Sequence, residues 1–332
     1  MHIVGVCRSR TVFWNLRIAA RVAAYELGDV MVEVITAGHV NWDVTLRVDA
    51  LPNPDGEARI DSQQRSGGGS AANVAVALSG MDFDTGLVGS VGDDDNGLLA
   101  RRELDEAGVD CTHLLESEEN ETTTKYLIVD ERGEVMVLGN EGANEAVTPA
   151  DVNPEYVRRA NHLHLTSQRP DTAAELARIA TEAGVSVSFD PGRRLAERDF
   201  GAALAYSDVM FLNDREARTI LDSDLEHPSS ELHGRVVVIK HGEAGAQVDT
   251  PEASYDHPGF DADVVDTTGA GDAFAAGFLA VLLREGGVLG PDADYERALE
   301  FANACGALAA MEEGARTAPS WGEVEAFLNG QF

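Results

Sequence analysis

The residues best placed to do chemistry lie in Asp263–Ala280, DVVDTTGAGDAFAAGFLA. A short β-prone run, Asp263–Val265, meets Thr267, Thr268 and a Gly-Ala-Gly turn; the alanine-rich apolar stretch that follows predicts a helix through about Leu283. Gly269, Ala270 and Gly271 then sit at a helix start, where free N–H groups and the positive end of the dipole make an anion site. The glycines allow the backbone to come close to a bound phosphate. Asp272 falls in the first turn, where the dipole favours the charged form, so it is able to accept a proton at neutral pH. An anion hole beside a base is what phosphoryl transfer to a hydroxyl requires. GAGD alone also describes a capped helix with a surface acid; the full run DTTGAGDAFAAGF is far more specific.

The elements that must hold these groups are legible as an alternation. Apolar runs His162–Leu165, Val185–Phe189, Val209–Leu212 and Val236–Ile239 alternate with helical stretches Asp171–Ala183, Leu195–Ala205 and Asp214–Leu221. That pattern predicts a parallel sheet covered on both faces, with sites at the carboxyl ends of its strands. Ser167, Asp190, Asn213 and Lys240 all fall at such ends. Val32–Gly38 reads as the first strand, running into a loop that carries Asn41 and Asp43, polar groups that suit either a ligand contact or a turn. Thr45–Val48, Ala58–Gln64, Thr122–Val129 and Glu134–Leu138 alternate like exposed strands and predict a small antiparallel sheet. Ser66–Gly80, SGGGSAANVAVALSG, places three glycines before a helix of small residues, with Asn73 on its first turn. No G-x-G-x-x-G follows the first strand, which weighs against a dinucleotide-binding dehydrogenase. Asp93–Asp95 lacks the spacing and closing Glu of a calcium loop.

DTTGAGDAFAAGF closely resembles the C-terminal signature of the ribokinase-like (PfkB) carbohydrate kinases, and the GG-x-x-x-N pattern of Gly68, Gly69 and Asn73 resembles their N-terminal one. TAGHVNWDVTLRVDALP and GLVGSVGDDDNG resemble two further blocks, so the likeness covers about Val32–Phe332. It implies a three-layer α/β/α fold with a mostly parallel central sheet and a small antiparallel β lid that excludes water and serves as a homodimer contact. It implies that Asp272 is the catalytic base and that the Gly269, Ala270 and Gly271 amides hold the transferred phosphoryl group. Asn41, Asp43, Gly68, Gly69 and Asn73 would face the sugar, with Ser167 and Arg169 beside it; Asn213 and Glu216 would hold magnesium through water. Lys240, Gly242 and Asn303 would neighbour ATP, and Asp266 and Thr268 match positions that take a monovalent cation such as potassium. Ser70 stands where ribokinases proper usually carry Lys, so ribose itself does not follow. A nucleoside kinase of the same family and a non-catalytic sugar- or nucleotide-sensing protein are the alternatives. An intact Gly-Ala-Gly-Asp argues against the second. Arg169, Arg193 and Arg194, after strand ends, suit an anionic acceptor such as a sugar phosphate or sugar acid.

Composition narrows the setting. The chain has 332 residues and a formal net charge of −33, from 58 acidic against 25 basic residues. Such a surface repels nucleic acid, and it suits high salt, where its self-repulsion is screened; a halophilic source is expected. Three widely spaced cysteines give no disulfide framework or metal spacing and fit a reducing cytoplasm. No apolar run is long enough to span a membrane. Met1–Val30 differs from the rest, with four arginines against two acidic residues, and is expected to lie outside the fold as an extension to a kinase domain of residues 31–332. The lid strands are expected from about residues 44–65 and 121–139.

Overall fold

The computed structural model describes residues 32–132, 134–221, 234–284 and 293–331. The expected extension over Met1–Val30 lies outside the described residues. Among the described residues, thirteen strands form two sheets. The larger has nine, in the order β13-β12-β11-β10-β9-β8-β1-β4-β5. They are β1 (Val34–Ala37), β4 (Thr85–Gly92), β5 (Leu114–Ser117), β8 (His162–Leu165), β9 (Ser186–Phe189), β10 (Val209–Asn213), β11 (Val236–Lys240), β12 (Ala246–Asp249) and β13 (Ser254–His257). Pairing is parallel from β5 to β11, and β12 and β13 close one edge antiparallel.

Helices cover both faces. On one side lie α1 (Ser70–Gly80), α7 (Ala270–Arg284), α8 (Tyr295–Ala310) and α9 (Trp321–Leu328), whose apolar residues form one core with Val34, Val209, Phe211 and Val238. The other face carries α3 (Pro154–Arg159), α4 (Pro170–Glu182) and α5 (Gly201–Ala205), packed on Ile35, Leu163, Leu165 and Val187. Val34 and Ile35 belong to opposite cores because successive strand side chains point to opposite faces. The helix α2 (Asp95–Glu106) joins α1 and β4 in a third core around Trp42. The chain order reverses at β1, which pairs with β4 on one side and β8 on the other. A crevice opens at such a switch point, beyond the strands' carboxyl ends.

The lid is the smaller sheet, order β3-β2-β6-β7: β2 (Asn41–Val48), β3 (Ile60–Gly68), β6 (Thr124–Asp130) and β7 (Val135–Gly139). Its outer pairs are antiparallel and its central pair, β2–β6, is parallel. The parallel central pair departs from the expected antiparallel sheet, and three stretches also differ from the sequence expectation. Asn41 and Asp43 lie in strand β2 rather than in a loop, because Asn41 pairs with Gly68 and Trp42 with Thr124 at once. The lid strands therefore run directly into the site. Asp263–Val265 forms no strand; the amides of Val265 and Asp266 instead both reach the Ala310 carbonyl, at 2.8 and 3.2 Å. The expected helix over Leu195–Ala205 shortens to α5, with a 3-10 turn at Gly192–Arg194 before it. The helix α6 (Asp214–Leu221) follows β10 as expected.

Candidate active site

The loop before α7 is tied down at both ends. The Asp266 carboxylate accepts the Thr268 amide at 2.9 Å and the Gly314 amide at 3.2 Å. Gly269 adopts φ 81°, and a Cβ there would collide with the Ala315 carbonyl, so only glycine fits. The helix begins at Ala270, as expected. Among the described residues the amides of Gly269 and Gly271 have no acceptor, whereas Ala270 donates to the Thr267 carbonyl at 3.2 Å. Two free N–H groups at the positive end of a long helix remain for an anion. The Lys240 ammonium stands beside them, 3.6 Å from where a Gly271 Cβ would be.

Asp272 is pushed up from its ordinary 3.8 to about 6, because burial outweighs the hydrogen bond from Asn73, the charge of Lys240 and the bond to Ser70; the nearby Asp190 adds to the rise. The helix start alone predicts a readily ionised carboxylate; desolvation reverses that direction, as it does for carboxyls buried in low dielectric. At pH 7 the group is still mostly ionised, and it sits in the range suited to a general base.

Lys240, at the end of β11, donates to Asp190 at 2.6 Å. Burial pulls the ammonium's pKa down, but Asp190, Asp272 and Glu216 together hold it above the usual lysine range. On the adjacent strand, in register with Lys240, Asn213 closes β10. The Asn213 amide donates to Glu216 and the Glu216 amide to Asn213, each at 2.9 Å, a reciprocal cap on α6. Burial, with Asp190 nearby, raises the Glu216 carboxyl, against the pull of Lys240.

The lid end of the site is lined by polar atoms that have no partner among the described residues. Asn73 donates to Asp272 at 2.7 Å, leaving its own Oδ1 buried and unpaired. Asn41 accepts from Asn144 at 2.6 Å, leaving Nδ2 unpaired, and Asp43 Oδ1 is likewise buried with no partner. The Gly68 backbone presses against the Asp43 carboxylate so closely that a Cβ would strike it, and Gly69 lies as closely against His39. Burial raises Asp43 to about 6, with Lys125 and Arg316 opposing.

The remaining sequence candidates lie farther out. Ser167 follows β8 and faces Gly192. Arg169 makes a two-pronged pair with Asp171, at 3.0 and 2.7 Å, on the exposed start of α4. Gly242 opens an exposed turn after β11 with φ 64° and free space around it. Asn303 is buried in α8 and donates to the Leu299 carbonyl of its own helix. The arginines separate: Arg193 lines a small cavity with Asn213 and Glu216, while Arg194 turns toward Glu145. Sequence reasoning missed Glu145, Arg198 and Arg316. Arg316 is nearly buried and props the site from behind, donating to Glu103 at 3.1 Å and to the Gly68 carbonyl at 3.2 Å. Nothing local in EEGARTAPSW marks it.

Residues 31–321 match the pfkB family carbohydrate kinase domain. The ATP-dependent ribose-1-phosphate kinase of Halopiger xanaduensis, a halophilic archaeon, is 61% identical over 302 residues, 91% of this chain and 100% of its own. The nucleoside kinase of Methanothermobacter thermautotrophicus is 29% identical over 301 residues, 88% of this chain and 94% of its own. Among solved structures, Thermotoga maritima ribokinase superposes with a TM-score of 0.78 at 25% identity, covering 90% of this chain and 99% of its own. Arabidopsis thaliana ribokinase, complexed with ribose and ATP, superposes with a TM-score of 0.78 at 24% identity, over 90% of this chain and 99% of its own. Among the described residues no helix is long and apolar enough to cross a membrane. The chain belongs to the pfkB family of carbohydrate kinases, ATP-dependent phosphotransferases that act on a hydroxyl of a sugar-type acceptor.

Proposed function

We propose that the acceptor is ribose 1-phosphate and that the catalytic fold spans residues 31–332. The observation that carries the sugar end is the set of three unpaired buried atoms, Asn41 Nδ2, Asp43 Oδ1 and Asn73 Oδ1, beside Asp272. One donor and two acceptors are what vicinal hydroxyls need, and a site with such groups rejects ligands that leave them unpaired. The 61% identity to a ribose-1-phosphate kinase supports the particular acceptor. Asp272 takes the proton as the acceptor oxygen bonds to the γ-phosphorus and the bond to the β,γ-bridging oxygen breaks. The Gly269 and Gly271 amides, with Lys240, stabilise charge on the moving phosphoryl group. The lid closes over the pocket and keeps water from acting as acceptor.

Magnesium fits the Asn213–Glu216 side: Asp190 and Glu216 offer hard oxygens, with the Lys240 ammonium beside them. Asn213 and Glu216 would hold it through water, and it would neutralise the β- and γ-phosphate oxygens. A potassium ion near Asp266 and Thr268 would use backbone carbonyls, because both Asp266 oxygens already accept amides. The adenine would lie toward Gly242 and Asn303. Ser167 borders the acceptor; Arg169, held by Asp171, does not take part.

The lid's edge strand β7 exposes Val135, Val137 and Leu138, at 53%, 50% and 53%, on both faces, which supports a homodimer through the lid. The acid surface and the free, buried thiols of Cys111 and Cys305 support a cytoplasmic enzyme. Comparing kcat/KM with ATP across ribose 1-phosphate, ribose, fructose and ribonucleosides tests the assignment. Ribose 1-phosphate should rank first; a nucleoside or free sugar in first place overturns it.

A further inference from the structure

A continuous set of contacts runs away from Asp272. Asp272 meets Asn73, the Asn73 amide donates to the Gly69 carbonyl at 2.8 Å, and Gly69 lies against His39. His39 bonds Glu145 at 3.2 Å. Glu145 then gathers arginines from a distant 3-10 turn and the loop after it: Arg198 at 2.9 Å and Arg194 at 3.6 Å. Arg198 also donates to the Gln168 carbonyl at 2.9 Å, so it is fixed in place. Arg194 is held only by long contacts, the second being 3.9 Å to the exposed Glu141, and keeps N–H groups to offer.

Lys125 completes the cluster from above. It sits on β6 in register with Asp43 on the parallel neighbour β2, so both side chains leave the same face of the lid. Its charge acts on both Asp43 and His39, yet among the described residues its ammonium has no hydrogen-bond or ion-pair partner. The chain contains only two lysines, Lys125 and Lys240. Against 58 acidic residues, a partnerless ammonium would be expected to find a carboxylate unless its place serves something else. Lys240 stands at the anion hole; Lys125 stands beside Asp43 and His39, at the far end of the set of contacts that leads from Asp272.

The charges facing this end are Arg194, Arg198, Lys125 and Arg316 against Glu145 and Asp43, with Glu141 at the solvent rim and His39 beside them. Glu145 is consumed in positioning. Burial pushes its carboxyl up, but His39 and Arg198 overcome that and hold it below the usual range, so it stays ionised and keeps its arginines.

We propose that Lys125 and Arg194, with Arg198 fixed behind them, seat the phosphate of the acceptor at the end of the pocket remote from Asp272. The sugar thereby presents to Asp272 the hydroxyl farthest from its own phosphate. An ammonium supplies a compact point charge and a guanidinium a planar fork, and together they suit a phosphate's several oxygens. This seat rests on the reading of the acceptor as ribose 1-phosphate.

The test compares wild type with Lys125→Gln and Arg194→Gln, both partly exposed side chains whose loss leaves the melting temperature near wild type. KM for ribose 1-phosphate should rise about 10–100-fold in each, the size of a charge-assisted hydrogen bond, while KM for ATP stays within about 2-fold. The ratio of kcat/KM for ribose 1-phosphate to that for ribose should fall, and Lys125→Arg should restore much of it. In wild type, KM for ribose 1-phosphate should rise with potassium chloride, and less steeply in Lys125→Gln. Wild-type turnover of ribose 1-phosphate with unchanged KM in both variants overturns the seat and leaves the acceptor intact. A wild type that ignores ribose 1-phosphate but phosphorylates ribose or a nucleoside overturns both.

Discussion

Replacing Asp272 with Asn separates what this residue does for turnover from what it does to the fold. The side chain is half-buried, and desolvation raises its carboxyl from 3.8 to about 6. The sign follows from linkage. The folded state binds this proton more tightly than the unfolded chain, so the contribution to stability is full below pH 3.8 and is lost as pH rises through about 6. Above that window the ionised group costs the fold about 3 kcal/mol, from roughly 2 pH units at about 1.4 kcal/mol each. Asn keeps nearly the same shape and still accepts from Asn73 while carrying no charge, so the variant should be more stable at pH 7. A rise of a few degrees in melting temperature is expected, and it should vanish toward pH 4. Turnover should move the other way: Asn cannot take the proton, and kcat should drop about 10²–10⁴-fold with KM for ATP little changed. Calorimetry at several pH values and a coupled ADP assay on the same preparation measure both. Near-wild-type turnover would remove Asp272 as the base. A lower melting temperature at pH 7 would refute the burial argument.

Other outcomes follow from the same groups. Asp272 and Asp43 both titrate near about 6 and both must be ionised, so kcat/KM should fall as pH drops through that value, with the slope easing in Asp43→Asn; a profile flat to pH 5 contradicts this. Because net charge is −33, melting temperature should climb from dilute buffer to molar potassium chloride, and a flat or falling curve would count against a halophilic surface. A chain beginning at Met31 should keep its activity and melting temperature; loss of folded protein would place Met1–Val30 inside the fold. Val137→Asp or Leu138→Asp on β7 should shift sedimentation from dimer to monomer, whereas a wild type that sediments as a monomer excludes the lid contact.

Local patterns determined a large part of this protein. The alternation from residue 161 onward specifies parallel strands almost to the residue, because strands covered on both faces read as apolar runs: Val209–Leu212 falls within β10. The Gly-Ala-Gly-Asp helix start is equally local, since a left-handed Gly269 and a first-turn carboxylate are properties of adjoining residues. Tertiary structure decided what is long-range. Asn73 reaches Asp272 across 199 positions, Arg316 reaches the Gly68 carbonyl across 248, and Lys240 meets Asp190 across 50. No periodicity records such pairs. The hydrogen-bonded run His164–Ser188–His162–Ser186, built across β8 and β9, likewise exists only once the strands are adjacent. The same holds for the assignment of the arginines: Arg193 and Arg194 are neighbours in sequence, yet a 3-10 turn sends one toward Asn213 and the other toward Glu145. The electrostatics followed the packing too. A helix start predicts an easily ionised Asp272, but the side chain's burial between α1 and the sheet's carboxyl edge raises its pKa, because desolvation depends on everything packed around a charge and not on its own helix.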